Sequence, residues 1–478
     1  MFRATLYDEQ LKQRYFCGSA EIGQARKELL MIDIVGGGIL GLTMAHELLK
    51  RGQHVRVWER ADNLGGLMGR TALPELGDVS CDRYYHTILS SDRTIMGLLD
   101  EVGLRSRLHT VATKMGFYHN GRSYPMSTPL EFLRFPPLGM IDRLRLAYTI
   151  LACRQIKDWR ALEQIPVETW LAGLSGPRTL RHIWAPLLRA KFDGDISHVP
   201  ATYIWSRLVR TTDTRTKGGS QEQMCYLPGG YQELIDALAA TVRARDGTLT
   251  TGATVDQLLV ADGQVVGFVV DGQQIESNHV ILTTQTPISR RLLPPEASAV
   301  SARWGQMEGF LGIVCMLLVL RRSLTPYYTL NITDERIPFT GVIETTNLID
   351  PAHVGGYHLV YLPKYVAPGS PYATMPDDEL RVTFLGYLRQ MFPDLRDDEI
   401  AAVRISRERY VEPIHPVGAT DLIPGLTSEV AGLYLANTGQ IYPQLTNGES
   451  VCAFAHQVAG EVVRLASAPR SPAALVAA

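Results

Sequence analysis

Charge of one sign is what this 478-residue chain lacks most plainly: 47 Lys and Arg stand against 49 Asp and Glu, a formal net charge of −2. The basic residues form no run and the 12 histidines are dispersed, so composition offers no electrostatic footprint for nucleic acid. Cysteine is scarce as well. Cys17, Cys81, Cys153, Cys225, Cys315 and Cys452 lie far apart, with no C-x-x-C and no paired spacing. That excludes a disulfide scaffold and a cysteine metal knuckle, and fits reduced, buried thiols in a cytoplasmic protein. Long apolar runs are missing too. The longest, Phe310–Leu320, is too short to span a bilayer and ends in Arg321-Arg322, so no transmembrane segment is expected and a buried strand is. There is no internal repeat, and no low-complexity stretch before the Ala/Pro/Ser tail that follows Leu465. What remains, 45% hydrophobic and 20% charged, suits a globular protein of two or more domains with an ample core.

One segment stands out from this even composition. Residues 32–66 read IDIVGGGILGLTMAHELLKRGQHVRVWERADNLGG. Ile32–Val35 has the pattern of a short buried strand, Ile39–Lys50 that of an apolar-faced helix stopped by Gly52, and His54–Glu59 that of a second strand ending on an acid. Gly36, Gly38 and Gly41 form G-x-G-x-x-G at the first turn. They allow a tight bend, a close approach of backbone to a pyrophosphate, and close packing of helix on strand. The helix N-terminus offers free N–H groups and the positive end of its dipole to phosphates. Glu59 is placed to accept both hydroxyls of an adenosine ribose. A bare glycine-rich turn would not need the strand, the helix, the second strand and the terminal acid in this order. The segment predicts a dinucleotide site.

Five residues after Glu59 come Gly65 and Gly66. This E-x₅-G-G pattern resembles the FAD-binding segment of the flavoprotein group that holds amine oxidases, protoporphyrinogen oxidase, phytoene desaturases and UDP-galactopyranose mutase. Further stretches resemble an amine oxidase or protoporphyrinogen-oxidase-like branch of that group: CDRYYHTILSSDRTIMGLLDEVGL (81–104), HIWAPLLRAKF (182–192), YLPGGYQELIDAL (226–238), YYTLNITDERIPFTGVIETTNL (327–348) and ANTGQIYPQLTNG (436–448). The likeness runs from about residue 31 to 465. It implies an α/β fold: a discontinuous Rossmann-type FAD-binding domain in three layers (ββα), with an inserted α+β substrate domain. It also implies FAD contacts from Gly36, Gly38, Gly41, Glu59, Arg60, Gly65, Gly66, Val255, Asn437, Thr438, Asn447 and Gly448. Two positions depart from the group's pattern. Leu67 follows Gly66 where an arginine is usual, the next basic residue being Arg70, and Asn437-Thr438 stands where Gly-Asp or Gly-Glu is common. Cys452 falls inside the final helix rather than at the position used for covalent flavin attachment, so FAD is expected to be bound non-covalently.

The domain plan follows from the same patterns. Residues 31–90, 229–304 and 413–466 are expected to form the FAD-binding domain, the second piece including a helix over Tyr231–Arg245 and a β-meander. Residues 91–228, read as mainly helical, and 305–412, read as strands with one helix over Asp377–Met391, are expected to form the substrate domain. In the former, Thr128-Pro129-Leu130-Glu131 reads as a capping box, Asn120-Gly121 as a hairpin turn and Met140–Gln155 as a long amphipathic helix. Asn447 is placed to cap a final helix whose dipole would face the flavin. Residues 467–478 read as a disordered tail. Residues 1–30 are polar, lack a signal-peptide core and read as an N-terminal extension that need not be native, with Met31 the alternative start.

For chemistry, the resemblance brings His86 near the isoalloxazine; a satisfied core histidine is the equal alternative. Arg189 and Lys191 could bind an anionic substrate group or pair with carboxylates. Tyr327, Tyr328, Tyr361 and Tyr442 could line a cavity or fill the core, and His415, between residues Ile414 and Pro416, reads as loop architecture. The expected function is an FAD-dependent oxidoreductase removing two electrons from a small organic substrate, by amine oxidation or C–C desaturation. Neither the substrate nor the electron acceptor is named by the sequence. A non-redox mutase acting on a nucleotide sugar is the alternative, and a flavin-free binding protein of the Rab-escort type stands behind both.

Overall fold

Asp33 is fully buried in the first strand, Met31–Val35, and its carboxylate takes two hydrogen bonds from Arg56 and one from the Trp58 indole, at 2.7, 2.7 and 2.8 Å. An acid can sit there only because a neighbouring strand supplies these partners. That strand, His54–Trp58, pairs in parallel with the first. Three more complete a five-stranded parallel sheet in the order Thr248–Thr250, His54–Trp58, Met31–Val35, Val280–Leu282 and Leu433–Leu435. The coordinates are a computed structural model that describes residues 30–77, 79–213, 223–307 and 309–467. The expectations for the extension before Leu30 and for the tail beyond Ser467 lie outside these residues.

Helices Ile39–Lys50, Tyr231–Ala244 and Gly448–Ala466 cover one face of the sheet, burying Leu42, Leu48, Leu234, Leu238, Val458 and Val462 with Ile32 and Ile34 in one core. The opposite face meets an antiparallel meander, Val255–Ala261, Gln264–Val270 and Gln273–Glu276, whose Val255, Val265 and Phe268 pack with Val35, Val280 and Leu282. Alternate residues of each sheet strand thus serve two cores, which is why these strands read as continuous apolar runs.

The same logic explains Phe310–Leu320, buried at all 11 positions. Val314, Met316, Leu318 and Leu320 face helix Asp377–Met391, whereas Ile313, Cys315, Leu317 and Val319 face a second core with Tyr84, Tyr328 and Tyr361. This strand lies in a seven-stranded sheet ordered Ile400–Pro413, Phe310–Leu320, His358–Val366, Gly341–Glu344, Thr329–Ile332, Met115–His119 and Arg122–Pro125.

The described part of residues 91–228 is mostly helical, and two of its strands, Met115–His119 and Arg122–Pro125, extend that mixed sheet through a parallel pairing with Thr329–Ile332. The pairing partner is more than two hundred residues away, so no local pattern announces it. Likewise Thr248–Thr250 joins the parallel sheet, and the meander begins only at Val255. The capping box at Thr128 and Glu131 forms as expected.

Candidate functional site

The end of the first strand, the start of the first helix and the turn after Glu59 meet as bare backbone. Gly36 N–H donates to the Trp58 carbonyl and Gly65 N–H to the Gly37 carbonyl, at 2.8 and 2.9 Å. A side chain on Gly41 would overlap the Gly36 carbonyl, so only glycine lets this helix start so close to its strand. Gly38 and Gly66 face each other across the crevice: a Cβ on Gly66 would lie 3.2 Å from the Gly38 Cα. Glu59 stands at the rim. Its carboxylate accepts N–H hydrogen bonds from Gly37 at 2.7 Å and Ala61 at 2.8 Å, one on each oxygen. Each oxygen keeps a further lone pair for a ligand donor. Arg60 beside it is exposed. Val255 lies differently from these residues, its side chain inside the meander core rather than at the rim.

At the crevice's other end the final helix begins. Asn447 caps it, its side-chain oxygen accepting from Ser450 N–H at 3.2 Å while Asn447 N–H donates to the Ser450 hydroxyl at 3.0 Å. Gly448 is buried where a Cβ would crowd the Tyr231 hydroxyl and the Met68 methyl. The one acid of the first turn, Glu449, is turned away and accepts the N–H groups of Thr94 and Ile95, both at 2.9 Å. The positive end of the helix dipole is therefore not neutralised by its own side chains. Asn437 and Thr438 occupy a tight turn in which the Asn437 side-chain Oδ1 accepts from Gly439 N–H and the Thr286 hydroxyl.

His86 packs edge-on against the Tyr231 ring, with centroids 5.6 Å apart. Burial pushes its pKa down to about 4, and the neighbouring Arg83 guanidinium acts in the same direction, so the imidazole is neutral near pH 7. Asp82 accepts the Tyr231 N–H at 3.0 Å, and burial pushes its carboxyl up to about 7. The residue that the sequence did not single out is Arg83. Strands Arg70–Ala72 and Ser80–Asp82 form a hairpin that folds Arg83 back onto the glycine turn, where it donates to the Gly66 carbonyl at 2.9 Å. It brings a cation to the glycine turn, whereas Arg70, the next basic residue after Gly66, lies exposed. Its position three residues before His86 was the available signal.

Four of these residues carry buried polar atoms without a protein partner: Arg83 Nε, His86 Nδ1, Asn437 Nδ2 and Thr438 Oγ1. Buried polar groups are almost always satisfied, and these four atoms leave bonding capacity that a ligand could take up.

Next to the helix start is a small, partly open cavity walled by Phe192, Tyr203, Glu412, His415, Tyr442 and Thr446, among others. Lys191 pairs with Glu412, and its ammonium sits 3.3 Å from the centroid of the Tyr365 ring. The Tyr365 hydroxyl in turn approaches that of Tyr85 at 3.4 Å. Tyr442 shares a hydrogen bond with Thr202 at 2.9 Å, and His415 Nε2 lies 2.9 Å from the Gly439 carbonyl oxygen. Thus Tyr442 and His415 line the cavity, and Lys191 pairs with the Glu412 of its wall. Arg189 instead pairs with Glu335 at the surface. Tyr327 packs over Gly116, Tyr328 is core, and Tyr361 donates its hydroxyl to the Asp82 carbonyl at 2.6 Å. Cys452 faces Thr43 in the packing between helices, at 3.7 Å.

A parallel α/β sheet opening at its strand ends onto a glycine-lined crevice, with a capped helix and a walled cavity opposite, defines a class of nucleotide-cofactor proteins. Within that class the chain belongs to the flavin containing amine oxidoreductase family, whose profile matches residues 41–448. It is similar to AofH of Mycobacterium tuberculosis, which carries a flavin-containing monoamine oxidase name, at 24% identity over 57% of this chain and 62% of that protein. The chain therefore matches somewhat less than two thirds of that relative's length. It is similar to the zeta-carotene desaturase of Arabidopsis thaliana, at 21% identity over 80% of this chain and 76% of the other. The fold is also that of a reduced UDP-galactopyranose mutase, with a TM-score of 0.70, 14% identity, and coverage of 92% and 96% of the two chains. No described helix is long and apolar enough to cross a membrane.

Proposed function

We propose that the chain is an FAD-dependent oxidoreductase that takes two electrons from a small organic substrate at flavin N5, by amine oxidation or C–C desaturation. The observation that carries this is the set of unpartnered buried atoms on Arg83, His86, Asn437 and Thr438, gathered at the crevice that the two glycine turns and the final helix define. These residues fit FAD. Gly36, Gly38, Gly41, Gly65 and Gly66 would hold the pyrophosphate, Glu59 with Arg60 the adenosine end, and Asn437 with Thr438 the ribityl chain. Asn447 and Gly448 would set the helix dipole toward the ring. Main-chain groups near Val255 would contribute on the meander side. When bound, the flavin supplies the electron-accepting chemistry itself.

The chain's residues then do three things. The helix N-terminus stabilises negative charge, since Glu449 is committed elsewhere. Neutral His86 can take or hold a proton at Nδ1, which nothing else engages. Tyr203, Tyr442 and Phe192 exclude water and orient an organic substrate. Cys452, turned to Thr43, supports a reading of non-covalent attachment. The test is anaerobic titration of the purified chain with candidate amines and unsaturable hydrocarbons. Bleaching of a yellow chromophore supports oxidoreduction. A chromophore that no electron-donating substrate bleaches, yet that binds a nucleotide sugar, supports the mutase instead.

A further inference from the structure

Ten large apolar side chains stand exposed among the described residues, and seven of them fall between residues 130 and 151. Two, Leu130 and Leu133, lie on the short helix Pro129–Leu133. The others, Met140, Ile141, Leu144, Tyr148 and Leu151, lie on helix Met140–Cys153 and are 57% to 68% exposed. At 3.6 residues per turn these five share an arc of about 100°. The opposite arc carries Leu146, Thr149 and Cys153, which are buried. Leu146 packs into a core with Val167, Leu171 and Trp184. The helix expected to be amphipathic is thus apolar on two faces, and a helix of that kind has an apolar neighbour on each.

Cations surround the outward face. Residues 129–160 contain Arg134, Arg143, Arg145, Arg154, Lys157 and Arg160 against only Glu131, Asp142 and Asp158, in a chain whose net charge is −2. Two of the three acids are committed: Glu131 caps its helix, and Asp142 lies 3.7 Å from Arg178. Arg134, Arg145, Arg154 and Lys157 are exposed. A second copy on this face would bring like charges together around the contact. An anionic lipid surface would complement them, with the apolar arc entering the acyl boundary.

We propose that this face docks the protein onto anionic bilayers, helix Met140–Cys153 lying in the plane of the interface. The full chain is sedimented with vesicles of phosphatidylcholine alone and of phosphatidylcholine with phosphatidylglycerol. The expected result is co-sedimentation with the anionic vesicles, weakened by added salt and much weaker with the neutral ones. Leu144→Glu with Leu151→Glu should lower partitioning at least about tenfold. Because both side chains point outward, the variant should keep its melting temperature and circular dichroism. Arg145→Gln with Arg154→Gln should lower binding to anionic vesicles by roughly fivefold per charge and leave binding to neutral vesicles unchanged. Three outcomes would overturn the proposal. One is a wild-type chain that stays in the supernatant with both vesicles. Another is vesicle binding indifferent to the two leucines. The third is a dimer in solution that Leu144→Glu dissociates, without lipid binding, which would assign the face to a second copy.

Discussion

The crevice and the cavity beside it are built in opposite ways. The crevice is made of backbone from short contiguous segments, 36–41 and 65–66, brought together by hydrogen bonds such as Gly65 N–H to the Gly37 carbonyl. The cavity is made of side chains from distant segments: Phe192 and Tyr203 from one insertion, Glu412 and His415 from the end of a strand, Tyr442 and Thr446 from the loop before the final helix. Backbone recognition demands glycine at fixed spacing and tolerates little else. Side-chain recognition can be rewritten position by position without disturbing the sheet beneath. A backbone crevice can therefore be shared by relatives whose names differ as much as monoamine oxidase and zeta-carotene desaturase.

Substitutions separate the two regions by what they damage. The largest effect is expected from Gly41→Val. Its side chain would drive into the Gly36 carbonyl, so the helix start must move and flavin retention should be lost altogether, as read by the absorbance of the purified protein. A yellow Gly41→Val protein would show that the crevice is not shaped by close approach. His86→Ala tests the junction of the regions. It should retain flavin and lower the rate of anaerobic flavin reduction by about 10²–10⁴-fold, the usual contribution of a positioned acid–base group. A variant that melts early but reduces its flavin normally would return His86 to the core.

Glu59→Ala should act on binding alone. Charge-assisted hydrogen bonds contribute roughly 1.5–3 kcal/mol each, so FAD affinity should fall at least about tenfold in equilibrium dialysis while the fully loaded enzyme turns over as before. Unchanged affinity would mean that Glu59 serves only Gly37 and Ala61. The smallest effect concerns Asp82, which positions the Tyr231 turn. Its carboxyl titrates at about 7 in the folded chain and near 4 when unfolded. Between these values the folded state holds the proton more firmly, so stability falls as pH rises through that window and levels off above it. Asp82→Asn keeps an acceptor for the Tyr231 N–H and removes this dependence. Its melting temperature should exceed that of the wild type by a few degrees at pH 8, the gap closing toward pH 4. A gap of the same size at both pH values would refute the assignment.

The same contrast explains what the sequence disclosed. The turn at Gly36, the helix Ile39–Lys50, the helix Asp377–Met391 and the cap at Asn447 are set by local spacing and appear with nearly the expected bounds. The two-faced burial of Phe310–Leu320 was visible as an unbroken apolar run. Arg83 was not visible, because its approach to Gly66 depends on the hairpin of Arg70–Ala72 and Ser80–Asp82 closing first. The strands Met115–His119 and Arg122–Pro125 hid their sheet because their partner is Thr329–Ile332. Lys191 was open to pairing with a carboxylate, but only the fold makes Glu412, more than two hundred residues away, its partner. Local geometry is written in neighbouring residues; a cavity between distant segments is not.

The expectations for Gly41, His86 and Glu59 all rest on FAD held in the glycine crevice without a covalent bond. Acid precipitation of the purified full chain, followed by mass spectrometry of supernatant and pellet, tests it directly. Intact FAD is expected in the supernatant, in near-equal amount to protein, over a colourless pellet. Flavin retained on the peptide, a nicotinamide nucleotide in its place, or no nucleotide at all would contradict it.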